Sequence, residues 1–224
     1  MKELDRIAVE ETGPSLHQMM ENAGRNCALV ALDMSRKTLN HTVIVVLAGS
    51  GGNGGGGICA ARHLANRAPK LSVYLCLSSP KTLEGVSAYQ RKIFGSTHGK
   101  ECEIAHLASV KPDLIIDALV GYGLHGAPTG KASELIQWAN EKDTQILSLD
   151  IPSGVDSTTG ETLGAFIDAT RTVTLALPKT GLLPETTGHL WLADIGIPQA
   201  AFQKLGLEYI SPFGHRFIIP LWGN

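Results

Sequence analysis

Val43-Ile44-Val45-Val46-Leu47-Ala48-Gly49-Ser50-Gly51-Gly52-Asn53-Gly54-Gly55-Gly56-Gly57 sets the reading of the whole chain. The first six residues are apolar and mostly β-branched, the composition of a strand covered on both faces of a sheet. Seven glycines follow within nine residues, and from Gly57 the pattern turns helical through Ala60, Ala61, His63 and Leu64 as far as Ala68. Gly49, Gly51 and Gly54 match G-x-G-x-x-G formally. A dinucleotide dehydrogenase would place a carboxylate about 20 residues further on, at the end of the second strand, to hold a ribose hydroxyl. The second strand instead ends Cys76-Leu77-Ser78-Ser79. No Lys-Ser/Thr follows the glycines, so a Walker A loop is excluded as well. Two readings remain: a ligand-free glycine loop, or backbone N–H groups at a helix N-terminus offered to an anion such as phosphate.

Outward from this segment, strands and helices alternate. Strands are expected at Val43–Ala48, Leu71–Leu77, Asp113–Leu119, Gln145–Leu149, Thr172–Leu177 and Leu190–Ile195. Helices are expected at Ser15–Ala31, Gly57–Ala68, Leu83–Phe94 and Lys131–Glu141. The β-α-β-α order predicts an α/β fold, a Rossmann-like three-layer α-β-α sandwich with a mostly parallel sheet. Residues 1–224 read as a single domain, with Phe213–Asn224 unassigned because no period is visible there. Ser15–Ala31 carries its apolar side chains near one face, to pack on the sheet or on a second subunit.

Composition narrows the partners. With 224 residues, 43% hydrophobic, 18% charged and a formal net charge of -2, the chain is an ordinary globular protein with no electrostatic case for nucleic acid. No apolar run approaches the roughly 18 residues of a membrane helix. Met1-Lys2-Glu3-Leu4-Asp5-Arg6 is too acidic and polar for a secretory signal. Cys27, Cys59, Cys76 and Cys102 lack C-x-x-C spacing and sit mostly in apolar patterns, which predicts reduced thiols and a cytoplasmic setting.

Two more strand ends carry chemistry. Asp117 interrupts an apolar strand, a costly place for a charge that is neither paired nor bound to a cation. It is followed by the pliant stretch Gly121-Tyr122-Gly123-Leu124-His125-Gly126-Ala127. The strand Gln145–Leu149 runs into Asp150-Ile151-Pro152-Ser153-Gly154, where a turn can aim oxygens at a point beside the Asp150 carboxylate. In open α/β sheets, ligands bind beyond the carboxyl ends of the strands. Asn53, Asp117, Asp150 and Ser153 offer oxygen only, which suits a large monovalent cation or a water-rich divalent one and argues against zinc or copper. Each feature also has a bland reading, a strand end with a well-formed turn.

In order along the chain, Met19-Met20-Glu21-Asn22-Ala23-Gly24, Gly51–Gly57 with Ala61-Arg62-His63-Leu64, Asp117-Ala118-Leu119 with Gly121–Gly126, Asp150–Gly154 and Thr174–Leu182 resemble the YjeF N-terminal domain family, the NAD(P)H-hydrate epimerases. The resemblance spans Leu4 to Ile197. It implies a metabolite-repair isomerase that interconverts the R and S forms of hydrated NADH and NADPH at C6 of the damaged nicotinamide ring, with one potassium ion. It also implies a homodimer, and in some members fusion to a dehydratase, which here would be a separate protein. At matching positions, Asn53, Asp117 and Ser153 become the potassium ligands. Asn53, Gly54, Gly55, Gly121, Tyr122, Gly123, Leu124, His125, Gly126, Ala127 and Asp150 face the hydrated dinucleotide, with backbone donors at Gly52 and Gly56.

Loss of the C6 hydroxyl as water, and its return to either face, needs a general acid and a base. Asp150 is the expected catalytic residue for both. Lys179 reaches a phosphate or the Asp150 region, or else stands solvated. The family loop reads Gly-Asn-Asn-Gly-Gly-Asp-Gly, so Gly52 and Gly56 replace an Asn and an Asp. That departure keeps two alternatives open: a catalytically degenerate nucleotide-binding module, and a protein-interaction scaffold of the same fold.

Overall fold

The apolar runs become strands where the β-branched residues lie. The computed structural model describes residues 1–35, 41–67, 71–81, 83–124 and 126–222. Helix α1 (Lys2–Ile7) passes through a π-helical turn, Ala8–Thr12, into α2 (Leu16–Met34). Ser15 caps α2 by accepting from the Gln18 backbone N–H, while the Gln18 side chain accepts from Ser15 N, a reciprocal capping box.

Then follow β1 (Val43–Ala48), α3 (Gly52–Ala65), β2 (Ser72–Leu77), α4 (Gly85–Phe94), β3 (Lys100–Cys102), α5 (Ile104–Leu107) and β4 (Leu114–Ala118). The chain continues through α6 (Gly130–Asn140), β5 (Gln145–Leu149), β6 (Arg171–Leu175), α7 (Pro184–Thr187), β7 (His189–Ala193), α8 (Gln199–Lys204) and β8 (Ile218–Trp222).

The eight strands lie in the order β3-β2-β1-β4-β5-β6-β7-β8. All pairs are parallel except β7 with β8. Alternate side chains of β1 enter different cores, as the two-residue period of a strand requires. Ile44, Val46 and Ala48 pack with Cys27 of α2, Ile58 and Leu64 of α3 and Phe94 of α4. Val45 and Leu47 face Leu107 of α5 and Leu135, Ile136 and Ala139 of α6. Helices therefore cover both faces, and the α/β sandwich with a mostly parallel sheet is what forms. A third cluster joins Leu4 and Ile7 of α1 to Met19 and Ala23 of α2, Ile195, and Phe202 of α8. It fastens the N-terminal helix across the far ends of the strands.

Three expectations are corrected. Helix α3 begins at Gly52 rather than Gly57, so most of the glycine run is helix and not loop. Strand β6 stops at Leu175 because Ala176 adopts φ 61 and turns the chain, short of the expected Leu177. The unassigned C-terminal stretch contains β8, an antiparallel edge strand whose Pro220 sits at a bulge opposite Trp191. An edge position is where a residue without an N–H is tolerated in a sheet. The last expected residue of the Gly57–Ala68 helix, Ala68, lies outside the described residues.

Candidate active site

The chain crosses from β1 to β2 on one side, while the adjacent β4 crosses to β5 on the other, which makes the carboxyl ends of β1 and β4 a topological switch point. A cavity of about 530 Å³ opens there. Its wall is drawn from Gly51, Gly52, Asn53 and Gly56 of α3 and its lead-in, Leu119–Gly123 after β4, Asp150 after β5, Lys179 after β6, and Asp5, Met19 and Met20 from the N-terminal helices. The volume lies in the range of small-molecule sites.

Glycine makes this closeness possible. A Cβ on Gly54 would stand 1.9 Å from the Gly49 carbonyl oxygen, and one on Gly57 would stand 2.4 Å from the Ala118 Cβ. Helix α3 therefore presses its first turns directly onto the ends of β1 and β4, and its N-terminal amides border the cavity. Gly52 and Gly56, the two positions at which the expected loop pattern departs, are different. Nothing lies within 4 Å of an added Cβ at Gly52, and at Gly56 the nearest atom is the movable Leu149 Cδ2 at 2.8 Å. Both residues line the cavity, but only Gly52 has open space for a side chain, while one at Gly56 requires the buried Leu149 side chain to shift.

Asp117 and Ser153 are fully buried and are not part of the wall. The Asp117 carboxylate accepts from Ser153 Oγ (2.6 Å), Ser153 N (2.8 Å), Ser148 Oγ (2.9 Å) and Leu119 N (3.2 Å). Ser153 Oγ in turn accepts from Val120 N at 2.9 Å. Burial pushes the Asp117 carboxyl above its ordinary range, against the pull of these donors. The next residue along, Gly121, lies beside Asn53, whose Cβ would be 3.1 Å from a Cβ added there. Both polar atoms of the Asn53 amide are buried without a hydrogen-bond partner. Such orphans are rare in native interiors. An unsatisfied amide oxygen beside a loop that also reaches a deep carboxylate and a hydroxyl is a donor set suited to a hard cation.

Asp150 adopts φ 69, the left-handed region a non-glycine residue enters only under constraint. Its side chain is fixed from one side. Oδ1 accepts from the Lys179 ammonium, from Leu175 N at 3.1 Å and from Thr174 Oγ1 at 3.3 Å. Lys179 also donates to Leu175 O (3.0 Å) and Thr174 Oγ1 (3.1 Å), which settles its place: it reaches the Asp150 region. Among the described residues no hydrogen bond engages Asp150 Oδ2, so the residue keeps a free oxygen at the cavity.

Of the other expected contacts, Gly121, Tyr122 and Gly123 line the cavity, whereas Gly54 and Gly55 are buried in the packing of α3. Leu124, Gly126 and Ala127 are not in the wall, and His125 lies outside the described residues. Reading the sequence missed Asp5, which lines the cavity and accepts from Tyr122 Oη at 2.7 Å. Away from the cavity, Glu21, Cys59 and His63 bring metal-type atoms within 4.8 Å of one another. The Arg62 guanidinium fills that cluster, 2.5 Å from Glu21, and burial pushes the Cys59 thiol up to about 12, so it is a helix-to-helix tie.

Fold and cavity together define an α/β protein with a mostly apolar pocket at its topological switch point, its wall carrying Asp5, Asn53, Asp150 and Lys179. The chain belongs to the YjeF-related protein N-terminus family, whose model matches residues 16–181. It is 47% identical over 222 residues to an NAD(P)H-hydrate epimerase of Dehalogenimonas lykanthroporepellens, covering 99% of this chain and 90% of the relative. It is 36% identical to a bifunctional NAD(P)H-hydrate repair enzyme of Moorella thermoacetica, covering 99% of this chain but 43% of that longer protein. It is also 31% identical to an enhancer of mRNA-decapping protein 3 of Gallus gallus, over 95% of this chain and 42% of the relative. The crystal structure of yeast ynu0 superimposes with a TM-score of 0.82 at 21% identity, covering 98% of this chain and 96% of that one, a likeness of fold.

Proposed function

We propose that this chain is an NAD(P)H-hydrate epimerase, interconverting the R and S forms of hydrated NADH and NADPH at C6 of the nicotinamide ring. One observation carries the reading: a cavity at the switch point, bordered by helix α3 amides, whose wall holds the Asp150–Lys179 pair with one carboxylate oxygen free. The near full-length 47% identity to a protein of that name supports it.

In this reading, Asn53, Asp117 and Ser153 would hold a potassium ion, which would supply a positive charge between the loops after β1, β4 and β5. The amides of Gly52 and Asn53, at the start of α3, face a phosphate, whereas the Gly55 N–H is taken by the Gly51 carbonyl within the helix. Asp150, oriented by Lys179, Thr174 and the Leu175 amide, acts through Oδ2 on the water that leaves and returns. Lys179 holds the carboxylate in place and keeps it from turning away from the ring.

A homodimer, a cytoplasmic setting and a separate dehydratase acting on one epimer complete the proposal. The half-exposed Leu29 and Tyr89 offer apolar surface to a second copy. Among the described residues no helix is long and apolar enough to cross a membrane.

The test is direct. The purified chain is added to chromatographically separated R or S hydrate, and the expected result is interconversion well above the rate in buffer. No acceleration in potassium buffer overturns the proposal. The binding-module alternative rests on Gly56, and activity confined to a Gly56→Asp variant would favour it.

A further inference from the structure

Epimerisation by loss and return of water needs two proton positions, one on each side of the event, and Asp150 supplies one carboxylate that is already in an ion pair. A second carboxyl lines the same cavity. Asp5 comes from α1, 117 residues before its hydrogen-bond partner Tyr122 in the chain, and the packing of Leu4 and Ile7 into the α2–α8 cluster holds it there. No lysine or arginine hydrogen-bonds to it among the described residues.

We propose that Asp5 is the general acid of the cavity, donating its proton to the departing C6 hydroxyl, while Asp150 takes the proton of the incoming water. The inference rests on the epimerase reading and divides between two residues the role first expected of Asp150 alone.

The step balances. As the C6–O bond breaks, its electron pair stays on oxygen, which takes the Asp5 proton and leaves as water. The ring-nitrogen lone pair forms the C6=N bond. Water then attacks C6 from either face, the C=N pair returns to nitrogen, and the water's proton passes to Asp150 Oδ2. A proton carried from Asp150 to Asp5 through solvent restores the starting state. No oxidant or reductant takes part.

The surroundings support the assignment. Burial is the largest influence on Asp5 and pushes its carboxyl above the ordinary range, which favours the protonated form a donor needs. The groups facing it are Tyr122, which donates to it and pulls the other way, the Met1 amino group and Lys179, which also pull down, and Asp150, whose charge pushes up. Two carboxyls in one cavity with different partners, Asp150 ion-paired to Lys179 and Asp5 held by Tyr122 without a lysine or arginine hydrogen bond among the described residues, give acid and base separate places on a single fold.

The sign of the pH effect follows. A donor works while protonated, so turnover falls as pH rises through the Asp5 pKa. Removing the Tyr122 hydroxyl deletes a donor that favours the ionised form, so Tyr122→Phe moves that falling limb to higher pH.

The experiment uses the natural chain, Asp5→Asn and Tyr122→Phe with separated R hydrate in potassium buffer. Rates are followed by chromatography across pH, and binding of the hydrate by calorimetry. Asp5→Asn is expected to lower kcat by about 100-fold or more, the range for losing a general acid, with affinity within about three-fold. Its residual rate should lose the alkaline fall seen in the natural chain. Near-natural kcat in Asp5→Asn, or a loss of binding equal to the loss of rate, overturns the inference while leaving the epimerase reading standing. An inactive natural chain overturns that reading and this inference together.

Discussion

Asp150 shows how one residue can be held for chemistry by its backbone as much as by its partners. At φ 69 an alanine would pay about 1–2 kcal/mol that asparagine, which hydrogen-bonds locally and tolerates this region, largely avoids. Asp150→Asn is therefore the cleaner variant. It spares the backbone but leaves the buried Lys179 ammonium without its carboxylate, so a thermal melt is expected to show a lower melting temperature. Epimerisation is expected to fall by about 10²–10⁴-fold in a chromatographic assay run at a temperature below both melts. Near-natural turnover would remove Asp150 from the mechanism. At this scale the sequence made Asp150 legible, because a carboxylate directly after an apolar run marks a strand end. Lys179 could be read only as one of several possibilities, since a contact with Asp150 across 29 residues has no local signature. Asp5 was invisible. It stands in Met1–Arg6, a stretch that reads only as too acidic and polar for a secretory signal, and its partner Tyr122 is brought to it only by the packing of α1 over the sheet.

Helix α3 is the element on which sequence reasoning failed most instructively. Glycine is a poor helix former, by about 1 kcal/mol per residue relative to alanine, so a run of glycines reads as loop. In the folded chain, contact with β1 and β4 outweighs that preference, because at several positions only a missing side chain allows the approach. Strands β1 and β5 were legible to the residue, since apolar composition and the glycine or aspartate that ends each run coincide. Two substitutions separate the roles of the glycines. Gly52→Ala meets no neighbour and is expected to be neutral or stabilising by up to about 1 kcal/mol in denaturant unfolding. Gly54→Ala drives a methyl into the Gly49 carbonyl and is expected to destabilise by on the order of 3 kcal/mol. Equal midpoints for the two variants would mean that α3 does not depend on this contact.

For the whole molecule, the sheet order determines what the residues can do together. With β1 and β4 adjacent and their crossovers diverging, the ends of β1, β4 and β5 open onto one crevice, and helices α1 and α2 close it from the side. The α/β class was legible because alternating strand and helix patterns leave few topologies open. The antiparallel β8 was not, since five residues containing a proline carry little strand signal. Asn53 and Asp150 meet in the cavity wall, while Asp117 and Ser153 bind each other in the interior beside it. Whether these four residues act as one site is measured most directly by diffraction from crystals of the natural chain grown with hydrated dinucleotide in potassium buffer. The account predicts the nicotinamide C6 hydroxyl within hydrogen-bond reach of Asp150 and an ion bound by Asn53, Asp117 and Ser153. A dinucleotide bound outside this crevice, or a ring turned away from Asp150, would contradict it.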